Sequence, residues 1–308
     1  MFGILIRKTT FILFFFVASR LSAVGINLSG EALYWYTTET VDWALVLDPE
    51  SNFQGSSFET VSFSWDPGFR VGLGFTNSCC WDTQFSYTYF KTKTTNRIDK
   101  DRIQSEFFGP KLSLVGFFQE AKLRMEIDYQ MFEGELGYQL AFSECLHFRP
   151  FIGVQGGWID QEIKSSWKKT VDLLNILIFP VTATEDLTND FWGVGPKGGA
   201  DGKWFFTECF CLVGNFSAAM MWGHWKITDE YQDSLISRIS TRVSPRDFGA
   251  LMVQGFLGLG FEMDYFSMSL GYEVQDWFNQ YQVFDNGTGG HSGDLVFQGG
   301  SFKACLDF

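Results

Sequence analysis

The sequence predicts an all-β protein: a transmembrane, antiparallel, up-and-down β-barrel of about ten strands, with short periplasmic turns and long extracellular loops. Three observations carry this. The first is strict alternation between Asn189 and Lys226. Trp192, Val194, Pro196, Gly198, Ala200, Gly202 and Trp204 share one face, and Gly193, Gly195, Lys197, Gly199, Asp201 and Lys203 the other. Leu212, Gly214, Phe216, Ala218, Met220 and Trp222 then alternate with Val213, Asn215, Ser217 and Ala219. Successive side chains of a strand point to opposite faces, so this is a hairpin with one greasy face. Five glycines between Phe191 and Trp204 oppose a helix, each costing about 1 kcal/mol relative to alanine. The second is the spacing of tryptophans. Trp192 and Trp204 share the apolar face twelve residues apart, which at about 3.3 Å per residue and a tilt of roughly 40° projects to about 30 Å. That approximates the apolar band between the two aromatic girdles of an outer-membrane barrel, and Trp158 and Trp222 join the girdle set. The third is that connections alternate between short and long, as periplasmic turns and surface loops do.

Residues 1–23 read as a secretory signal, leaving 24–308 as the barrel. Arg7 and Lys8 form a charged start, residues 9–19 an apolar core, and Leu21-Ser22-Ala23 presents a small residue for cleavage. No later run reaches the ~20 apolar residues of a membrane helix; the best, 171–184, is interrupted by Asp172, Asn175 and Pro180. A membrane crossing then requires a closed barrel, because every backbone donor must be satisfied inside lipid. Removing 1–23 removes three basic residues and no acid, and leaves 20 basic against 36 acidic residues, a charge of −16. That excludes nucleic acid and anionic inner-leaflet lipid as partners. The expected location is the bacterial outer membrane, with its lipid and lipopolysaccharide as surroundings.

In chain order, 28–38 is the first strand, with Tyr34 and Tyr36 at the top of the lipid face and Glu31 inside. Residues 40–65 read as a polar loop. Strand two is 66–76, with Arg70, Gly72 and Gly74 inward, and strand three is 80–93, with Asp82 inward. Residues 94–116 form another loop. Strand four, 119–142, changes apolar phase between Met131 and Phe132, which predicts either a bulge or a strand extending above the membrane. Strand five is 145–165, with Arg149 and Gln155 inward. A 166–188 loop, the hairpin above and a 228–246 loop follow. Strands 247–263 and 266–282 meet at a tight turn, and a 285–293 loop precedes the last strand, 294–308. The count is ten, or twelve if 41–47 or 111–117 also spans. The terminal Phe308 shares a face with Phe302 and Leu306, the pattern read by barrel-assembly machinery.

Certain runs carry a family resemblance. Phe148-Arg149-Pro150-Phe151-Ile152-Gly153, Trp158-Ile159-Asp160-Gln161, Asn189-Asp190-Phe191-Trp192-Gly193-Val194-Gly195-Pro196, Asp201-Gly202-Lys203-Trp204, Trp222-Gly223-His224 and Gly271-Tyr272-Glu273-Val274-Gln275 resemble the Legionella-type major outer-membrane protein family, whose members also occur in chlamydia-like bacteria. The match is densest from 148 to 308. The resemblance implies an outer-membrane barrel with pore-forming activity and brings no catalytic motif.

The predicted lumen face holds Glu31, Arg70, Asp82, Glu135, Arg149, Lys197, Asp201, Lys203 and Glu273. These residues either line a narrow ion-selective pore or pair with one another and plug the barrel. Inward glycines at 72, 74, 193, 195, 199, 258 and 260 favour room for water. Cys79, Cys80, Cys145, Cys209, Cys211 and Cys305 all fall at the short-turn end, five of them (all but Cys79) with lumen-facing parity. An oxidising periplasm permits bridges among them or links to neighbouring envelope proteins. Cys209-x-Cys211 is not a zinc spacing, so no metal is expected, and neither is a cofactor. His224, Asp190 and His291 form no diagnostic constellation, so no catalytic residue and no enzyme activity is expected. Asn286-Gly287-Thr288 reads as a turn. The apolar 171–181 segment has three readings: a constriction in the mouth, a short external helix, or packing against neighbouring loops. Two functions fit. One is a porin passing small hydrophilic solutes. The other is a structural or surface-interaction barrel, disulfide-linked at its periplasmic rim and without an open pore. Both allow a homo-oligomer.

Overall fold

The computed structural model describes residues 25–39, 41–47, 55–77, 79–105, 117–173, 177–234, 239–242, 246–285 and 289–308. The signal segment and 111–116 lie outside them. Among the described residues there are fourteen strands: β1 (Gly25–Glu39), β2 (Asp42–Leu47), β3 (Ser56–Thr60), β4 (Trp65–Thr76), β5 (Trp81–Ser105), β6 (Phe118–Tyr138), β7 (Leu140–Ser143), β8 (Leu146–Leu173), β9 (Leu177–Phe205), β10 (Phe210–Asp233), β11 (Ile239–Arg242), β12 (Arg246–Met263), β13 (Phe266–Asp285) and β14 (Gly289–Asp307). Ten form a closed antiparallel ring in the order β5, β4, β1, β14, β13, β12, β10, β9, β8, β6, with β6 returning to β5. β7 prolongs β6 along β8, and β11 leans on β10. The termini close the seam at the short-turn end, where Ile26 and Phe308 exchange backbone hydrogen bonds at 3.0 and 2.8 Å.

The 41–47 segment is a strand but not a stave. β2 pairs with β3 and reaches β5 only from Ala44 to Val46, above the ring. The ring therefore keeps ten members, an even number as antiparallel closure requires.

The expected loops are largely strand. β5 runs to Ser105, β8 and β9 carry the 166–188 region as a tall hairpin, and β13 runs to Asp285. The 171–181 backbone is therefore paired strand on both sides of 174–176, which excludes the external helix. Residues 286–288 lie outside the description.

β6 shows why these extensions escaped an apolar-out criterion. No bulge separates Met131 from Phe132: Thr88↔Met131 and Tyr87↔Phe132 on one side, and Met131↔Gly157 and Phe132↔Gly156 on the other, are in unbroken register. One parity faces inward throughout. Below this level the inward residues are Glu133 and Glu135, and Leu136 faces lipid. Above it the inward residues are Met131, Tyr129, Ile127, Met125, Leu123 and Ala121, all buried, and the outward ones are Asp128, Glu126, Arg124 and Lys122. The apparent phase change is a change of solvent. The strand leaves lipid and continues through water, so its polarity inverts while its geometry does not.

The aromatic girdle marks that boundary. Trp192, Trp222, Tyr34 and Trp65 are exposed on the outer wall, Trp158 packs edge-on against Phe132 at 6.1 Å, and Tyr34 stacks on Trp65 at 5.6 Å. Trp204 and Trp81 occupy the lower edge beside the short turns. All four predicted girdle tryptophans thus lie on the outer face.

The inversion is directly testable. Ile127→Lys places an unpaired ammonium inside the upper wall, at a cost of several kcal/mol, and should abolish the heat-shifted gel mobility of the refolded chain. Asp128→Lys, one residue along and outward, should leave that mobility intact.

Candidate functional site

The lumen divides at the girdle. In its lower half all nine predicted residues stand on the inner wall, and they are paired. Arg70 on β4 donates through Nη1 to Glu31 on β1 at 3.0 Å and through Nη2 to Glu273 on β13 at 2.8 Å. Its Nε donates to Thr88 at 2.9 Å. Arg149 on β8 donates to Asp82 at 2.6 Å, to Asp201 at 2.7 Å and to Glu135 at 3.3 Å. Lys197 on β9 reaches Glu133 at 2.9 Å and Glu135 at 3.0 Å. Lys203 meets Glu262 at the periplasmic mouth. Arg70–Glu273, Arg149–Asp82, Lys197–Glu133, Lys197–Glu135 and Lys203–Glu262 join strands that are not neighbours in the ring, so they tie the wall together beyond its backbone ladders, while the other pairs join adjacent strands.

Sequence reasoning missed Glu133, Glu262, Lys303 and Phe151. Period-two parity would have found each: Glu133 precedes Glu135 by two, Lys303 sits between outward-facing neighbours opposite Glu31, and Phe151 follows Arg149 by two. Phe151 lies under two cations, with the Arg149 guanidinium 5.3 Å and the Lys197 ammonium 5.6 Å from its ring centre. Its ring also occupies the space at Gly199, where an added Cβ would meet Phe151 Cζ at 2.7 Å. Phe191 fills Gly193 and Phe256 fills Gly258 in the same way. At Gly193, Gly199 and Gly258 this corrects the expectation that inward glycines leave room for water: these three are sockets for neighbouring rings, while Gly72, Gly74, Gly195 and Gly260 face non-aromatic atoms.

The upper half is a hydrophobic core. Trp35 on β1 stacks on Phe297 of β14 at 5.7 Å and touches Phe90 of β5 at 5.3 Å. Tyr129 on β6 contacts Phe297 at 4.9 Å and Trp277 of β13 at 6.0 Å. β6 and β13 are five places apart in the ring of ten, so Tyr129 and Trp277 meet across the full diameter. Trp35, Phe90, Trp277 and Phe297 are fully buried.

Above this layer lies a small polar cluster. Gln161 donates to Glu39 at 2.9 Å, and Asn189 donates to Gln161 at 3.1 Å and to the Gln280 carbonyl at 3.5 Å. Gln280 arrives there through a bulge. The β13–β14 register shifts between Trp277 and Tyr281, and Asn279 takes a left-handed φ of 54°, held by its N–H donating to Asp294 at 2.8 Å. The bulge turns Asn279 outward and Gln280 and Tyr281 inward. Glu39 lies three residues above the girdle residue Tyr36, outside the membrane band. Burial pushes its carboxyl up to about 8, against the lowering effect of the Gln161 hydrogen bond.

The six cysteines collect at the periplasmic end, and none is bonded to another. Cys211 and Cys305 are on strands with inward parity. Cys79, Cys80 and Cys145 are exposed on turns and Cys209 lies on the β9–β10 turn, so lumen-facing parity does not extend to Cys80, Cys145 or Cys209. His224 and Asp190 have outer-wall parity, and Asp190 accepts from Lys226 at 3.5 Å. The His291 side chain lies outside the described residues.

A family model described as Legionella pneumophila major outer membrane protein precursor matches residues 22–308. No curated protein matches. Among solved structures, the outer membrane protease OmpT from Escherichia coli is similar at 12% identity and a TM-score of 0.52, covering 93% of this chain and 98% of that one. The attachment invasion locus protein Ail of Yersinia pestis (10% identity, TM-score 0.28, 92% and 98% covered) and the CymD monoaromatic hydrocarbon channel (9%, 0.34, 92% and 88%) are also similar. These likenesses concern the fold alone.

Two outcomes follow from the lumen. Arg70→Ala leaves Glu31 and Glu273 buried without their cation and should lower stability to urea, in detergent, by about 3–5 kcal/mol. Glu39 keeps its proton in the folded barrel at a pH where the unfolded chain, at the ordinary value of 4.5, has lost it. Its contribution is therefore present below that value and is lost as pH rises towards about 8. Glu39→Gln should remove this part of the pH dependence, on the order of a few kcal/mol between acid and mildly alkaline urea titrations.

Proposed function

We propose that this chain, which belongs to the Legionella pneumophila major outer membrane protein family, is an outer-membrane barrel with a closed lumen whose working surfaces are its extracellular wall and its periplasmic rim. The observation that carries this reading is the Tyr129–Trp277 contact across the full diameter, seated in the buried layer of Trp35, Phe90 and Phe297. A hydrated solute has no path through a layer of interlocked rings. Beneath it, the charges that would line a pore are engaged with one another. On this reading the protein is structural and non-enzymatic. It is exported through cleavage of residues 1–23 and is inserted through recognition of the strand ending in Phe308. The exposure of Cys79, Cys80 and Cys145 supports links from this rim to neighbouring envelope proteins.

A second reading has a specific observation in its favour. The lower lumen is polar, carries both signs of charge and faces the periplasm. A porin for small hydrophilic solutes would use Arg70, Asp201 and Glu273 as its selective lining.

Single-channel recording separates the two. The chain from 24 to 308, refolded and checked by heat-shifted mobility, should give no discrete conductance steps in a planar bilayer, with or without reductant. Steps in the wild type would replace the closed-barrel reading with the porin. Steps only after reduction would assign the cysteines to control of the periplasmic mouth. Trp35→Ala with Tyr129→Ala, which removes rings from the diameter, should introduce conductance where the wild type has none.

A further inference from the structure

The outer wall just above the girdle carries a site independent of the lumen. β5 loses its β4 neighbour at Phe90, the last pair of that ladder, and β2 takes up pairing only at Ile103. Between these points β6 supports β5 on one side. On the other, two side chains tie it down: Thr92 Oγ1 donates to Asp66 at 2.6 Å and Thr94 Oγ1 to the Ser62 carbonyl at 2.6 Å. Across the unbroken β5–β6 ladder beside this free edge, Lys93, Thr94, Thr95, Lys122 and Arg124 line an open notch of about 330 Å³.

Around the notch the acids are engaged and some of the cations are not. Glu126 holds Lys91 at 2.5 Å and Arg124 at 3.3 Å, Glu120 holds Arg97 at 3.3 Å, and Glu162 holds Lys164 at 2.5 Å. Lys93 and Lys122 have no anionic partner among the described residues. Both are exposed, in a chain whose net charge is −13. The height is informative. Lys93 lies four residues beyond Tyr89, an outward aromatic, which at about 3.3 Å per residue and roughly 40° of tilt is about 10 Å above it, and Arg124 and Lys122, opposite Thr95 and Arg97, stand about 5 and 10 Å higher still. The level of Lys93 is the one at which polar headgroups begin beyond the hydrocarbon core.

We propose that this notch binds the phosphate of an outer-leaflet lipid headgroup, a phosphorylated glycolipid whose acyl chains lie against the girdle below. Lys93 and Lys122 supply uncompensated charge, and Thr95 and the planar Arg124 guanidinium supply directed donors, a combination suited to phosphate oxygens. Lipid anchored below and bound above would fix the height of the barrel in the membrane.

The test uses the refolded chain in neutral detergent, titrated with diphosphoryl lipid A and followed by native mass spectrometry. The wild type should bind it at least about tenfold more tightly than Lys93→Ala/Lys122→Ala/Arg124→Ala, while Lys226→Ala, elsewhere on the outer wall, should match the wild type. Lys93→Gln/Lys122→Gln keeps the Arg124–Glu126 pair and should show the same direction of loss, which guards against misfolding of the triple variant. Excess inorganic phosphate should leave the lipid bound. Equal binding by wild type and both notch variants overturns the site. Displacement by inorganic phosphate overturns the lipid as its occupant, and equal loss in Lys226→Ala overturns its specificity.

Discussion

The alternation of side chains along a β-stave cannot change without a bulge, whereas the medium outside this barrel changes from lipid to water part-way up. The unbroken register of β6 through Met131 and Phe132 holds the geometry constant across that boundary. The outer face must then be apolar below and charged above. Because the chain still has to bury apolar surface to fold, the inner face takes the opposite sequence. A polar lower lumen and an aromatic upper core are two consequences of one continuous sheet crossing one interface.

The two halves solve the burial problem differently. Below the girdle, every charge taken from water needs a partner, and Arg70 and Arg149 each serve more than one carboxylate, from adjacent strands and from strands two or three places away in the ring. Such networks contribute little net stability against an apolar filling, yet they are costly to break because the remaining charges stay buried. Above the girdle, ring-on-ring contacts exclude water without any desolvation cost for charge. The polar exception there, centred on Glu39, needs a bulge in β13 to bring Gln280 inward, which marks it as a place where the sheet departs from its rule. The gap between β4 and β2 along β5 is the corresponding departure on the outer wall.

Much of this architecture was legible in the residues. Long alternation with tryptophans twelve apart determined a membrane barrel, because only a tilted stave of that length needs aromatic anchors at both ends of one face. The inward set from Glu31 to Glu273 followed from parity, and so did the four outward tryptophans. The extensions were not legible under the same rule, since an apolar-out test reads a stave in water as a loop. The β13 bulge was hidden because a left-handed asparagine leaves no periodic trace. The filled glycines were hidden because a missing side chain signals space without saying which ring takes it.

What the sequence determined by itself, then, is which side chains face lipid and which face inward within the membrane-spanning part of each stave, and a ring of about ten staves. Both depend on local periodicity and turn spacing. Only the tertiary structure decided what occupies the inside. Whether Tyr129 reaches Trp277, or Arg70 reaches Glu273, depends on which strands oppose one another across a closed ring and on the register between them. Those are distances between residues more than a hundred positions apart, and no period along the chain records them.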